Sequence, residues 1–281
     1  MEELRVQGLA VSYSPAGPTA LVAVHGAGAG TRDSCHLYPH LHATLPAIGV
    51  GVATFDRRGE GDSPGEPTRG RFEAQARDAL AVAEALGAER VGLWGFSQGG
   101  WGAPLAATLS EDVAFVITIA ATGVTPAEQM VYANRRALEL AGYGPDVVER
   151  VTGLRREIDA WAHDAGPPPD LAAAAAEPWF PLTYLPPARP EDFDEDAKRS
   201  WIAEMDFDPS PVFAAVRVPV LAFYGAQDSV SPVGPSIAAW PQNDATVVVV
   251  PEAEHDLSLP DGTLAPLYEQ TLVPWLEPLS R

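Results

Sequence analysis

The chain has 281 residues, 46% of them apolar and 20% charged, an ordinary globular composition that suits one α/β domain carrying an insertion better than two equal domains. Its 38 acidic residues against 18 basic ones give a formal charge of −20, which repels nucleic acid and anionic membrane surfaces. No uncharged apolar run approaches the ~20 residues needed to cross a bilayer, so neither nucleic acid nor membrane is expected as a partner.

The first residues, Met1-Glu2-Glu3-Leu4-Arg5-Val6, carry acids where a secretory leader carries bases, and a cytoplasmic location is expected. Cys35 is the single cysteine and forms no disulfide within the chain. Residues 3–13 read as a short strand pair. Ala20 to Val24 is a continuous apolar run, the signature of a buried strand, stopped by the Gly-rich loop His25-Gly26-Ala27-Gly28-Ala29-Gly30. A second such run, Val50 to Phe55, enters the turn Asp56-Arg57-Arg58-Gly59-Glu60-Gly61-Asp62-Ser63. Apolar residues at helical spacing from Phe72 to Leu86, closed by Gly87, predict a crossover helix. Val91 to Trp94 then reads as a strand, Gln98 to Leu109 as a helix and Ala114 to Ile119 as a strand. Alternation at these lengths predicts parallel pairing with helices on both faces.

From Thr122 to Pro211 the strand signal disappears. Helical patterns over Ala127 to Ala141 and Pro145 to Ala162 are broken by Gly166-Pro167-Pro168-Pro169 and Pro186-Pro187-Ala188-Arg189-Pro190, and Ala172 to Ala176 suits a further helix. Residues 122–211 are therefore expected to be an inserted helical cap on a core of residues 1–121 and 212–281. The core alternation resumes with the strand Val218 to Tyr224, a short helix near Ile237, the strand Thr246 to Val250 and a last helix from Leu264 to Leu279.

Chemistry concentrates at Gly95-Phe96-Ser97-Gln98-Gly99. This GxSxG run follows one expected strand and opens one expected helix, the setting of a nucleophile elbow, where a serine sits on a strained turn and side chains at 95 or 99 would collide with neighbouring chains. A serine hydroxyl becomes a useful nucleophile only when a neutral imidazole takes its proton and a carboxylate orients that imidazole.

On these residues the chain resembles the α/β-hydrolase family, in which the order is serine, acid, histidine. The resemblance implies a mostly parallel sheet with helices on both faces and Ser97 as the nucleophile. It implies Asp228, in Tyr224-Gly225-Ala226-Gln227-Asp228, as the acid and His255, in Pro251-Glu252-Ala253-Glu254-His255-Asp256, as the base. Glu252, Glu254 and Asp256 are rival acids, but neighbours of a histidine in sequence seldom aim a carboxylate at its ring. The resemblance further implies an oxyanion hole made by the backbone amides of Gln98 and Ala27, with Gly28 as the alternative to Ala27, and it gives His25 a role in shaping that loop. The turn Asp56 to Ser63 resembles the family's Arg-Gly-x-Gly-x-Ser turn and is expected to buttress the active-site loops.

Serine at 97 disfavours the chemistry of relatives with an aspartate nucleophile, and the alternating glycines after His25 resemble the capped, small-substrate branch. Gly28, Trp101, Trp179 and Trp201 are the candidate pocket residues, packing being the plainer reading of the large aromatics. His36, His40 and His42 do not complete a metal set. The expected activity is hydrolysis of a small neutral or apolar ester, thioester or amide through an acyl-enzyme, without cofactor or metal. The alternative is a non-hydrolytic lyase or cyclase built on the same residues.

Overall fold

A computed structural model of the protein describes residues 1–68, 70–186, 194–241 and 245–280. The expected break at Pro187 to Pro190 lies outside the described residues. In chain order the elements are β1 (Glu2–Val6), β2 (Leu9–Ser14), β3 (Thr19–Val24), α1 (Leu37–Thr44), β4 (Val50–Phe55), α2 (Phe72–Leu86), β5 (Arg90–Phe96), α3 (Gly99–Leu109) and β6 (Val113–Ile119). They continue with α4 (Pro126–Leu140), α5 (Pro145–Ala162), α6 (Leu171–Ala175), α7 (Glu195–Met205), α8 (Ser210–Ala215), β7 (Val220–Gly225), α9 (Val233–Ala238), β8 (Ala245–Val250) and α10 (Pro266–Leu276).

The eight strands form one sheet in the order β1-β2-β4-β3-β5-β6-β7-β8, parallel from β4 onwards, with β1 and β2 joined antiparallel at one edge. The inner strands β3, β4 and β7 are buried at every position and mostly apolar, because both faces are covered. On one face Leu21, Trp94, Ile117 and Phe223 pack with Leu37 and Leu41 of α1 and with Tyr268 and Leu272 of α10. The Trp94 indole N–H, which would be costly to bury unpaired, donates to Tyr268 Oη at 3.1 Å. On the other face α2 packs on α3 and α3 on α8.

The strand order places a switch point beside β3. The chain leaves β3 for β4 on one side, returns to β5 on the other and then moves outward to β6 and beyond. The loops after β3 and after β5 therefore diverge, the topological position at which open α/β sheets bind their ligands.

The chain divides into two compact units. The first comprises Met1–Gly123, Pro209–Asp228 and Val233–Arg281 and contains the sheet. The second comprises Val124–Asp208 with Ser229–Pro232. Its α4 starts with a capping box, Thr125 accepting from the Glu128 amide while the Glu128 carboxylate accepts from the Thr125 amide. Its core holds Leu138, Val151, Ile158, Leu171, Trp179 and Leu185. The short piece Ser229–Pro232 joins this unit, where the buried Gln129 amide donates to Ser231 Oγ at 3.2 Å. Among the described residues no helix is long and apolar enough to cross a membrane.

Candidate active site

Ser97 stands directly after β5 and one residue, Gln98, before α3, with φ +52°. A non-glycine residue in the left-handed region costs about 1–2 kcal/mol, and the surroundings hold it there. The Ser97 amide donates to Ile119 O at 2.8 Å, and the Gly100 amide donates to Ser97 O at 2.8 Å. The glycines on either side permit the turn. A Cβ at Gly95 would lie 2.0 Å from Gly99 O, and one at Gly99 would lie 2.2 Å from Val24 O and 2.7 Å from His25 O. The elbow is thus pressed against the end of β3, and only glycine fits.

Asp228 follows β7 and His255 follows β8, so the three residues come from three separate strand ends on the carboxyl edge of the sheet. The two outer loops are fastened together before they reach the site. The amides of Ala226 and Gln227 donate to Val250 O and Ala253 O, both at 2.9 Å, and a Cβ at Gly225 would sit 2.1 Å from Glu254 O. Only glycine fits at 225, the last residue of β7, and the backbone atoms that exclude a side chain there come from the loop after β8.

The structure brings Ser97, His255 and Asp228 into one chain of hydrogen bonds. His255 Nδ1 lies 3.0 Å and 2.9 Å from the two carboxylate oxygens of Asp228, and His255 Nε2 lies 2.9 Å from Ser97 Oγ. With Nδ1–H donated to the carboxylate, the lone pair of Nε2 faces the serine hydroxyl. The Asp228 side chain is fully buried and that of His255 is 15% exposed, so the carboxylate is sheltered and the ring edge faces the reaction side. The Phe96 ring, 5.3 Å from the imidazole, packs beside it. Among the rival acids, Asp256 accepts from the amide and hydroxyl of Ser258.

The loop after β3 leaves Ala27, Gly28 and Ala29 exposed while its base is buried. Among the described residues the Ala27 amide has no acceptor, and Gln98 occupies the N-cap position of α3 at the elbow. His25 is 2% exposed, and its Nε2–H is directed at Phe55 O at 2.5 Å. Burial, with the Arg57 cation second, pushes its imidazole down to about 3, which favours the neutral ring that donates to Phe55 O.

The candidate pocket residues divide. Trp101 is 3% exposed, with its indole N–H donated to Thr122 O at 2.6 Å and its ring edge-on to Phe72. Trp179 is 2% exposed within the core of the helical unit, beneath the Arg150 guanidinium. Packing inside their own units accounts for both. Trp201 is partly buried, donates to Asp159 Oδ1 at 3.1 Å and lies under Arg155 at 4.7 Å. Gly28 is exposed, and an added Cβ there meets nothing within 4 Å. A cavity of about 500 Å³, lined by Arg32, Tyr38, His42, Thr54 and Asp56 among others, contains none of the expected site residues.

The remaining histidines have separate partners, His163 lying 2.8 Å from Asp206 Oδ2. His36 lies 3.7 Å from Asp256, His40 lies 3.8 Å from Glu269, and His42 bonds Ser14 and Thr54. Burial raises the Cys35 thiol to about 11, which disfavours its thiolate.

Residues 19–261 match the family described as alpha/beta hydrolase fold. Among solved structures, a monoacylglycerol lipase from Paleococcus ferrophilus is 21% identical, with a TM-score of 0.59 over 99% of both chains. A proline iminopeptidase from Mycobacterium smegmatis is 18% identical, with a TM-score of 0.60 over 99% of this chain and 96% of that one. An esterase from Thermogutta terrifontis is 20% identical, with a TM-score of 0.59 over 100% of each. At these identities the likeness is one of fold.

Proposed function

The chain belongs to the α/β-hydrolase fold family, and from that premise we propose that it is a serine hydrolase that cleaves a small neutral or apolar ester, thioester or amide through an acyl-enzyme on Ser97. The observation that carries this reading is the continuous relay from Asp228 through His255 to Ser97 Oγ, with every link between 2.9 and 3.0 Å.

Ser97 Oγ attacks the acyl carbon while its proton passes to His255 Nε2, and Asp228 steadies the imidazolium that forms. The carbonyl oxygen becomes an oxyanion, held by the amides of Ala27 and Gln98. As the intermediate collapses, the Nε2 proton goes to the leaving group and the acyl group stays on Ser97. Water, deprotonated by His255, then attacks the ester and releases the acid. Each step needs only residues of this chain and water.

The test is turnover of a panel of p-nitrophenyl esters, acyl thioesters and anilides by the wild-type chain and by Ser97→Ala. Turnover of at least one class, abolished in the variant, is expected. Equal turnover by both proteins would remove Ser97 from the reaction.

A further inference from the structure

One ion pair holds the Gly-rich loop from behind. Arg57 is 1% exposed; its Nη2 donates to Gly26 O at 2.5 Å and its Nη1 to Gly28 O at 3.3 Å and to Glu60 Oε1 at 2.8 Å. Glu60 Oε2 accepts the Gly30 amide at 2.7 Å, and the Arg57 amide donates to Gly30 O at 2.6 Å. The fit is close, since a Cβ at Gly30 would lie 2.7 Å from Arg57 Cβ and 2.9 Å from its Cζ. Residues 26, 28 and 30 are thus all tied to the 57–60 turn, whereas the Ala27 amide faces no acceptor among the described residues.

The consequence lies in the geometry of a peptide bond. Gly26 C=O and Ala27 N–H belong to one planar trans unit and point in opposite directions. Fixing the carbonyl on Arg57 therefore fixes the amide on the far side. Turning over the peptide between Gly26 and Ala27 rotates ψ of Gly26, which glycine accepts freely, together with φ of Ala27, whose Cβ alone opposes it. Turned over, it would present a carbonyl oxygen, an acceptor, where an oxyanion requires a donor.

We infer that Arg57, itself held by Glu60, is a positioning residue that locks the Gly26–Ala27 peptide with its N–H towards the oxyanion. This inference rests on the hydrolase reading above. Arg57 touches no reacting atom; it acts through the peptide it holds, and its charge-assisted bonds to two carbonyls exceed what a lysine at that position could make.

The test compares Arg57→Met and Glu60→Gln with wild type on p-nitrophenyl acetate, with kcat expressed per site that takes a fluorophosphonate label. It also measures Ki for an aliphatic trifluoromethyl ketone, whose carbonyl adds Ser97 to give a hemiketal oxyanion. Losing a whole oxyanion donor costs about 100- to 1,000-fold in kcat, so partial loss of its orientation in Arg57→Met is expected to lower kcat by about 10- to 100-fold, with KM within about threefold and Ki weakened in step with kcat. Glu60→Gln keeps an acceptor for Gly30 but loses the charge that anchors the guanidinium, and a drop of about 3- to 10-fold in kcat and in ketone affinity is expected. If Arg57→Met does not fold, Glu60→Gln decides the matter alone. Variants that only melt earlier, with unchanged kcat per labelled site and unchanged Ki, would overturn the inference. A wild-type chain that hydrolyses no ester and takes no label would instead overturn the hydrolase reading and the inference with it.

Discussion

Replacing Gly99 by alanine adds a single methyl group where the structure leaves no room. The new Cβ would stand 2.2 Å from Val24 O, 2.7 Å from His25 O and 2.8 Å from Val24 C. These are backbone atoms of a buried central strand and of the loop root that follows it, so no flexible side chain can move aside. Overpacking of a close-packed interior costs about 1–3 kcal/mol, and a clash with backbone belongs at the upper end. At about 2–4 °C per kcal/mol for a chain of this size, about 3 kcal/mol is a fall in melting temperature of about 6–12 °C. Relief comes by pushing α3 away from β3, which separates the Gln98 amide from the Ala27 loop. A displacement near 1 Å at a reacting centre is worth about 100-fold in rate. Gly153→Ala supplies the control. Gly153 lies inside α5, and a Cβ there meets nothing within 4 Å. The same chemical change should therefore stabilise by about 0.5–1 kcal/mol, a rise of about 1–4 °C. Calorimetry of the two variants with ester turnover per labelled site is the assay. A Gly99→Ala protein that melts with wild type and retains its kcat would refute the close packing of the elbow.

Asp228→Asn keeps the shape of the acid but removes the charge that fixes the His255 tautomer, and kcat is expected to fall by about 10⁴-fold with little change in melting temperature; a loss below about tenfold would make another acid the partner. His25 sets part of the acid limit of stability. It takes a proton near 6.5 when unfolded but only at about 3 when folded, so between these values the unfolded chain binds the extra proton. Stability should fall as pH drops through that window, and a denaturant series should show a shallower acid limb in His25→Gln; identical limbs would exclude His25 as their source. Thr125→Ala removes the cap of α4 and should cost about 1 kcal/mol in denaturant unfolding, against no change if the box is not formed in solution.

Much of the core was legible because its signals are local. β4, α2 and α5 fall on the expected limits, since a continuous apolar run between turn residues marks a buried strand and Gly87, at φ +63°, ends α2 as a left-handed cap. Two helices carry weaker signals. In α1 the pattern is interrupted by Pro39 and three histidines lie close by, and α7 buries only Met205, so it has no apolar stripe to read. Asp194, whose side chain accepts the Ala197 amide, followed by Glu195 and Asp196, is the start signal that would have marked α7. The division into units also differs from the expected limits of 122–211. Gly123 is held in the sheet unit by its bond to Ser236 Oγ, while Ser229–Pro232 joins the helical one, a grouping that depends on contacts distant in sequence.

The site shows the same contrast. That Ser97, Asp228 and His255 would meet was readable because each stands just beyond a strand at the carboxyl edge of the sheet. For Trp101 and Trp179 the sequence left pocket and packing both open, packing being the plainer, because an indole has the same composition whether it lines a cleft or fills a core; both are buried. Gly225 and the Arg57–Glu60 pair were hidden for a different reason. Their importance lies in which backbone atoms they meet, and those atoms belong to loops 29 residues away in sequence for Arg57 and Gly28 and farther still for Glu60 and Gly30, at 30.

The most direct test of Ser97 as the nucleophile is to treat the protein with a fluorophosphonate, digest it and locate the adduct by mass spectrometry. One adduct is expected, on the peptide containing Gly95-Phe96-Ser97-Gln98-Gly99, and none in Ser97→Ala. An adduct at another residue, or equal labelling of both proteins, would contradict the account.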